Sequence, residues 1–130
     1  MLAKILAVDP LLKAPAWKLE EEIIGKGNQI VYPDSFEMNV LKRYLPETDA
    51  ILTVFSDVTR EMISLAPNLK VIVKPGVGID NIDLDYATKS KVIVCNVEGV
   101  RGQSVSEHVF FMMLHIARHA WMRNEQEKWR

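Results

Sequence analysis

The residues best equipped for chemistry lie in one run, Lys74-Pro75-Gly76-Val77-Gly78-Ile79-Asp80-Asn81-Ile82-Asp83. Two glycines with one residue between them let a backbone turn tightly and leave amide N–H groups uncovered by side chains. The unbroken apolar stretch before them, Val71-Ile72-Val73, reads as a buried strand. A turn of that kind at the carboxyl end of a parallel strand is where α/β sheets hold anions. Gly76, Val77 and Gly78 are therefore the first candidate site, with backbone amides as the ligating groups. Asp80, Asn81 and Asp83 supply side chains suited to turning the chain and capping the next helix. A second apolar run, Ala50 to Val54, leads into Phe55-Ser56-Asp57, so the loop from Thr53 to Ser56 is a second candidate lining.

Three other patterns imitate chemistry. Strand, Gly-x-Gly, helix and a strand ending in Glu98 resemble a dinucleotide fingerprint, with an acidic residue about 20 positions on. However, Asn81 stands where a third glycine should allow close helix–strand packing, and the expected helix from Asp83 to Ser90 is too short for a βαβ crossover. His115 and His119 have the i, i+4 spacing of a metal pair, but no third ligand stands nearby and no metal is expected. Asp9 after the first strand, Asp57 after the third and Lys74-Pro75 after the fourth imitate a phospho-acceptor receiver, a signalling module on the same fold. That pattern lacks paired acids after the first strand and carries its Lys-Pro one strand early.

At 130 residues, with about half of them hydrophobic and a quarter charged, the chain fits one domain with a real core. A net charge of −1 argues against nucleic acid or an anionic membrane as partner, since both favour a basic patch. The single cysteine, Cys95, cannot form an internal disulfide and reads as a buried thiol in a reducing cytoplasm. The apolar start is broken by Lys4 and stopped by Asp9-Pro10, which is too short for a signal peptide or a membrane span.

The elements that must position these groups alternate along the chain. Strands are expected at Lys4 to Val8, Gln29 to Tyr32, Ala50 to Val54, Val71 to Val73 and Lys91 to Cys95. Helices are expected at Trp17 to Ile24 (ended by Gly25 and Gly27), Met38 to Tyr44, Thr59 to Leu65 and Asp83 to Ser90. Strict alternation predicts one parallel sheet covered on both faces, flavodoxin-like, in the order 2-1-3-4-5. The last element differs. Ser104-Val105-Ser106-Glu107 reads as a capping box, and Ser104 at a helix start is also a candidate phosphate contact for a cofactor. The helix it opens has one apolar stripe of Val105, Val109, Met112, Met113 and Ile116 and a second of Phe110, Leu114, Ala117 and Trp121. A helix apolar nearly all round must be covered on nearly all sides, which one small sheet cannot do. The first stripe is expected to pack on the sheet. The second is expected to meet a further domain or a second copy of the chain.

Three segments together resemble the D-isomer-specific 2-hydroxyacid dehydrogenases, the family of phosphoglycerate dehydrogenase and glyoxylate reductase. They are Ala-Pro-Asn-Leu-Lys-Val-Ile (66–72), Gly-Val-Gly-Ile-Asp-Asn-Ile-Asp-Leu (76–84) and Ser-Val-Ser-Glu-His-Val (104–109). The first 49 residues fit in strand pattern only. The resemblance implies a two-domain enzyme interconverting 2-oxo acids and D-2-hydroxy acids with NAD or NADP. Residues 1–100 would be its substrate domain, and 101–130 the helix crossing towards an NAD-binding Rossmann domain. It implies that the Val77 and Gly78 amides hold the substrate carboxylate and that Val77 also faces the nicotinamide. The family's Gly-x-Gly-x-x-Gly loop and its catalytic arginine, glutamate and histidine are expected beyond Arg130. No catalytic residue is therefore expected among these 130, and the chain alone should be inactive. Phosphoglycerate dehydrogenases carry an arginine after the third strand, where this chain has Thr53 or Val54. Arg101 stands where many relatives place an asparagine near the substrate and is the candidate for the positive charge instead. A relative that binds dinucleotide only in a regulatory role is the other outcome the resemblance allows.

Overall fold

Short runs of branched apolar residues make the strands. Lys4–Ala7 (β1), Gln29–Val31 (β2), Ala50–Leu52 (β3), Val71–Val73 (β4) and Ile93–Cys95 (β5) pair side by side. All pairings are parallel and the order is β2-β1-β3-β4-β5, as the alternation predicted. The computed structural model describes residues 3–13, 27–99 and 101–119. The helix expected at Trp17 to Ile24, and Trp121, lie outside the described residues.

Side-chain alternation sends the strands into two cores. Leu6, Ile51 and Ile72 face one side of the sheet, where Leu41, Leu45, Met62, Ile63 and Ala87 from the connecting elements cover them. Ala7 and Leu52 face the other side with Leu12, Val54 and the half-buried Ile5, Ile30 and Val73. Each fully buried leucine or isoleucine contributes about 1.5–3 kcal/mol relative to exposure.

The connecting helices among the described residues are short, and side chains cap two of them. They are Met38–Leu41 (α1), Arg60–Ser64 (α2) and Leu84–Lys89 (α3), with 3-10 turns at Pro10–Lys13 and Leu45–Glu47. Thr59 caps α2 by accepting from the Met62 amide, and Asp83 caps α3 by accepting from the Tyr86 amide at 2.9 Å. Strand β5 begins two residues later than the sequence suggested. Lys91 lies in the left-handed region, at φ 59°, as the residue just beyond the α3 C-cap. The amides of Lys91 and Val92 donate back to Thr88 and Ala87, which closes the helix in a Schellman motif. At the sheet edge, Ile93 and Cys95 are exposed, so the expectation of a buried thiol is wrong. An edge strand has one neighbour only, and alternation leaves these two side chains uncovered.

The chain divides into two compact units, Met1–Val97 and Glu98–Arg130. The second contains a helix from Gly102–Ala117 (α4). It starts earlier than the capping-box reading required. Arg101 is the N-cap and its carbonyl accepts from the Val105 amide at 3.0 Å, so Ser104 is already inside the first turn. Nothing in Gly102-Gln103 stops a helix, and the chain did not wait for a better cap. Glu107 accepts from Gln103 instead of reaching back to Ser104. His119 leaves α4 in the left-handed region at φ 49°, so it does not share a helical face with His115. Within its own unit nothing covers Val105, Val109, Met112, Met113 and Ile116, nor Phe110 and Leu114.

Candidate functional site

Parallel strands bring the loops after β1, β3, β4 and β5 to one edge of the sheet. The loop after β3 is built around Asp9, the second residue past β1, which is 3% exposed. Asp9 Oδ2 accepts from the backbone amides of Val54 (3.2 Å), Phe55 (2.5 Å) and Ser56 (2.8 Å). Its Oδ1 accepts from the Leu11 amide at 2.9 Å. Burial alone would raise the Asp9 carboxyl, but the amides of Phe55, Ser56, Leu11 and Val54 together outweigh it and hold the group below its ordinary range. This is one carboxylate fixing two loops.

From that loop the hydrogen bonds run to the next. The Ser56 carbonyl accepts from Thr53 Oγ1 and from Asn81 Nδ2, both at 2.7 Å. The Asn81 carbonyl accepts from the Val58 amide at 2.8 Å, and the Val58 carbonyl accepts from the Asp83 amide. Asn81 Oδ1 accepts from the ammonium of Lys74, which is buried. The loop after β5 ties in from the other side: the Val97 amide donates to the Gly76 carbonyl at 2.9 Å, and Asn96 Nδ2 to the Val77 carbonyl at 2.8 Å.

The turn so braced keeps donors free. The Gly76 amide donates to the Lys74 carbonyl at 2.8 Å, whereas the Val77 and Gly78 amides find no acceptor among the described residues. Both residues are exposed. Two adjacent unpaired N–H groups at a strand's carboxyl end can receive an anion without competition. The glycines are not there for a special backbone angle, since neither has a positive φ. A Cβ added at Gly76 would meet nothing nearer than 3.8 Å, and one at Gly78 nothing nearer than the Asp80 carboxylate at 3.5 Å. The absence of a side chain matters for what approaches from outside.

Of the residues singled out from the sequence, Gly76, Val77, Gly78, Phe55 and Ser56 fall on loops at this edge. Val54 is buried in the second core, and its amide is bound to Asp9, so it presents no surface to a ligand. The Ser56 and Phe55 amides are likewise committed to Asp9, although the Phe55 side chain is 76% exposed. Arg101 and Ser104 belong to the second unit, at the N-cap and in the first turn of α4. Among the described residues no three metal-binding side chains converge. Asp9 is not available as a receiver-type acid, because its oxygens already serve four amides. The roles of Asp9, Lys74 and Asn81 in this bracing were not read from the sequence. An acid at the end of a buried strand, followed by a proline that stops the ladder, was the available signal for the first of them.

Comparison with known proteins identifies the family of the chain. Residues 5–125 match the model of the D-isomer specific 2-hydroxyacid dehydrogenase catalytic domain. A hydroxypyruvate reductase from Thermotoga maritima is 31% identical over 125 residues, covering 93% of this chain and 40% of that protein. A glyoxylate reductase from Thermococcus litoralis is 37% identical over 87 residues, 66% of this chain and 26% of that one. Among solved structures, an acyclic imino acid reductase in complex with NADPH and D-Arg superposes with a TM-score of 0.73 at 25% identity. It is matched over 94% of this chain and 39% of its own. A Staphylococcus aureus NAD-dependent formate dehydrogenase, in complex with NAD, gives 0.71 at 27%, over 95% and 41%. The chain thus spans between about a quarter and two fifths of the relatives named here. With a family match over residues 5–125, nearly its whole length, the chain belongs to the D-isomer-specific 2-hydroxyacid dehydrogenase family.

Proposed function

We propose that this chain is the substrate-binding portion of an NAD(P)-dependent oxidoreductase interconverting 2-oxo acids and D-2-hydroxy acids. The observation that carries the reading is the pair of unpaired amides at Val77 and Gly78, on a turn braced from both sides. A carboxylate placed there accepts two N–H bonds, and charge-assisted bonds of that kind are the strong ones. Phe55, exposed on the neighbouring loop, limits the size of the acid. Arg101 is a candidate positive charge on the substrate, and Ser104 a candidate cofactor contact at the start of α4.

The turn does not fit a dinucleotide pyrophosphate. Asn81 occupies the third glycine's place and its side chain is bonded on both sides, while α3 is only six residues long. When bound, NAD(P) would supply or accept the hydride. The part played by these residues is to hold the acid by its carboxylate so that its carbonyl carbon faces outward at Val77. Bonds to the carboxylate exist before and after hydride transfer, so they contribute orientation and uniform binding more than barrier lowering. A homodimer contact through 104–121 is supported by the exposed Phe110 and Leu114, and a reducing cytoplasm by the single free cysteine. Among the described residues no helix is long and apolar enough to cross a membrane.

The test is a titration of the isotope-labelled chain with glyoxylate. The Val77 and Gly78 amide resonances should shift most, and Gly78→Val, which covers the amides, should abolish the response while the fold persists. A saturable response centred elsewhere, or one unchanged by Gly78→Val, would sink the reading.

A further inference from the structure

Lys74 is a buried cation without a counter-charge. Its residue is about nine-tenths buried, immediately after β4 and two positions before the turn glycine Gly76. Its ammonium donates to Asn81 Oδ1, a neutral acceptor. The ion pairs among the described residues are Lys4–Glu47, Lys42–Glu61 and Lys70–Asp49, so no carboxylate serves Lys74. Removing an ammonium from water with no opposite charge is costly, and buried charges are ordinarily paired. An aspartate at position 81 would supply that charge. The chain has asparagine.

Asn81 also fixes where the ammonium points. Its Nδ2 donates to the Ser56 carbonyl, which sets the orientation of the amide and leaves Oδ1 facing Lys74. Ser56 is in turn held by Asp9. Lys74 Cε lies 3.8 Å from where a Cβ on Gly76 would stand, so the side chain runs back along the turn. On the other side of the turn, the exposed Asp80 carboxylate sits beside Gly78. The Asp80 carboxylate repels an anion arriving at the free amides, and a positive charge near the turn would offset it.

We propose that Lys74 supplies a positive charge to this anion site: it and the Val77 and Gly78 amides receive one carboxylate of a small organic acid, with Asn81 as the positioning residue that holds the ammonium. The proposal rests on the reading that the turn binds a substrate carboxylate, and adds the group that selects for its charge. Lys74 thereby favours a carboxylate over its neutral amide, a discrimination that two N–H donors alone make weakly.

The labelled chain is titrated with pyruvate and with pyruvamide, its neutral counterpart, following the Val77 and Gly78 amides. Wild type should bind pyruvate more tightly. Lys74→Met should weaken pyruvate at least about tenfold and leave pyruvamide unchanged, so that the preference disappears. Asn81→Asp, which gives Lys74 a permanent partner, should also lose the preference. Lys74→Met that binds pyruvate like wild type overturns the proposal and leaves the amide site standing. A wild type in which pyruvate moves neither amide overturns both. Should Lys74→Met fail to fold, Asn81→Asp decides: a retained preference for pyruvate counts against Lys74.

Discussion

Replacing Asp9 with asparagine removes one charge and one acceptor while leaving the size of the side chain almost unchanged. In the native protein Oδ2 serves the amides of Val54, Phe55 and Ser56, and Oδ1 serves that of Leu11. An asparagine has one carbonyl oxygen, so it can face one of these two groups of donors only. If it faces the β3 loop, its NH₂ opposes the Leu11 amide, a donor against a donor. A lost bond to a charged acceptor costs about 1.5–3 kcal/mol. The bonds that remain weaken by roughly half when the acceptor becomes neutral. Together Asp9→Asn should destabilise by about 3–4 kcal/mol, a large part of an ordinary domain's stability. The sign with pH follows from the same contacts. The Asp9 carboxyl is lowered in the folded state, so its contribution is full above the unfolded value of about 3.9 and is lost as pH falls through the folded one. The gap between wild type and Asp9→Asn should therefore narrow in acid. Asp49, lowered by Lys70 and the Lys4 amide, titrates alike in both proteins and cancels. Denaturant unfolding across pH measures the gap. A difference below about 0.5 kcal/mol at neutral pH would refute the reasoning, as would a gap that does not change with acid.

Other outcomes follow from single features. Lys91→Gly should stabilise by about 0.5–1 kcal/mol, because glycine takes the left-handed C′ position without strain and loses part of the gain to its freer unfolded chain; an unchanged denaturation midpoint would count against the Schellman cap. The 130-residue chain alone should not oxidise NADH with glyoxylate or hydroxypyruvate, since its three histidines all lie on or just after α4 and none belongs to the braced turn; turnover by the purified chain would contradict this. Phe110→Glu with Leu114→Glu should reduce self-association seen by sedimentation, as two exposed apolar side chains each forgo about 1.5–3 kcal/mol by staying in water; a monomeric wild type would remove α4 as a dimer contact.

What was legible in the sequence was what local pattern determines. Val71-Ile72-Val73 is a strand because three branched apolar residues between a lysine and Lys74-Pro75 have few other uses. Thr59 and Asp83 cap their helices because a short acceptor side chain bonds an amide three residues ahead without reference to the rest of the fold. Strand order followed from alternation, and the turn at Gly76–Gly78 from its glycines. The failures have a common cause. Ser104 looked like a cap, yet Arg101 carries the first turn, because a capping box permits a helix to begin and does not prevent an earlier start. Cys95 looked buried because its run is apolar, but burial on an edge strand depends on a neighbour the sequence does not name.

The bracing of the site was illegible for the same reason on a larger scale. Asp9 and Phe55 are 46 residues apart, and Ser56 and Asn81 are 25 apart. Read in sequence, Asp9 marks the end of a strand, Asn81 is a missing glycine and Lys74 is half of a Lys-Pro pair after β4. Only the parallel register, which sets the ends of β1, β3 and β4 side by side, turns them into one connected support. The support explains why the free amides stay free. A turn with unpaired donors can relax by bonding its own carbonyls, as the Gly76 amide does with Lys74. The carbonyls of Gly76 and Val77 are instead taken by Val97 and Asn96, and that of Asn81 by Val58, so few acceptors remain for the Val77 and Gly78 amides to collapse onto. Preorganisation here consists in occupying the competing acceptors, and it is carried by residues that need not touch a ligand.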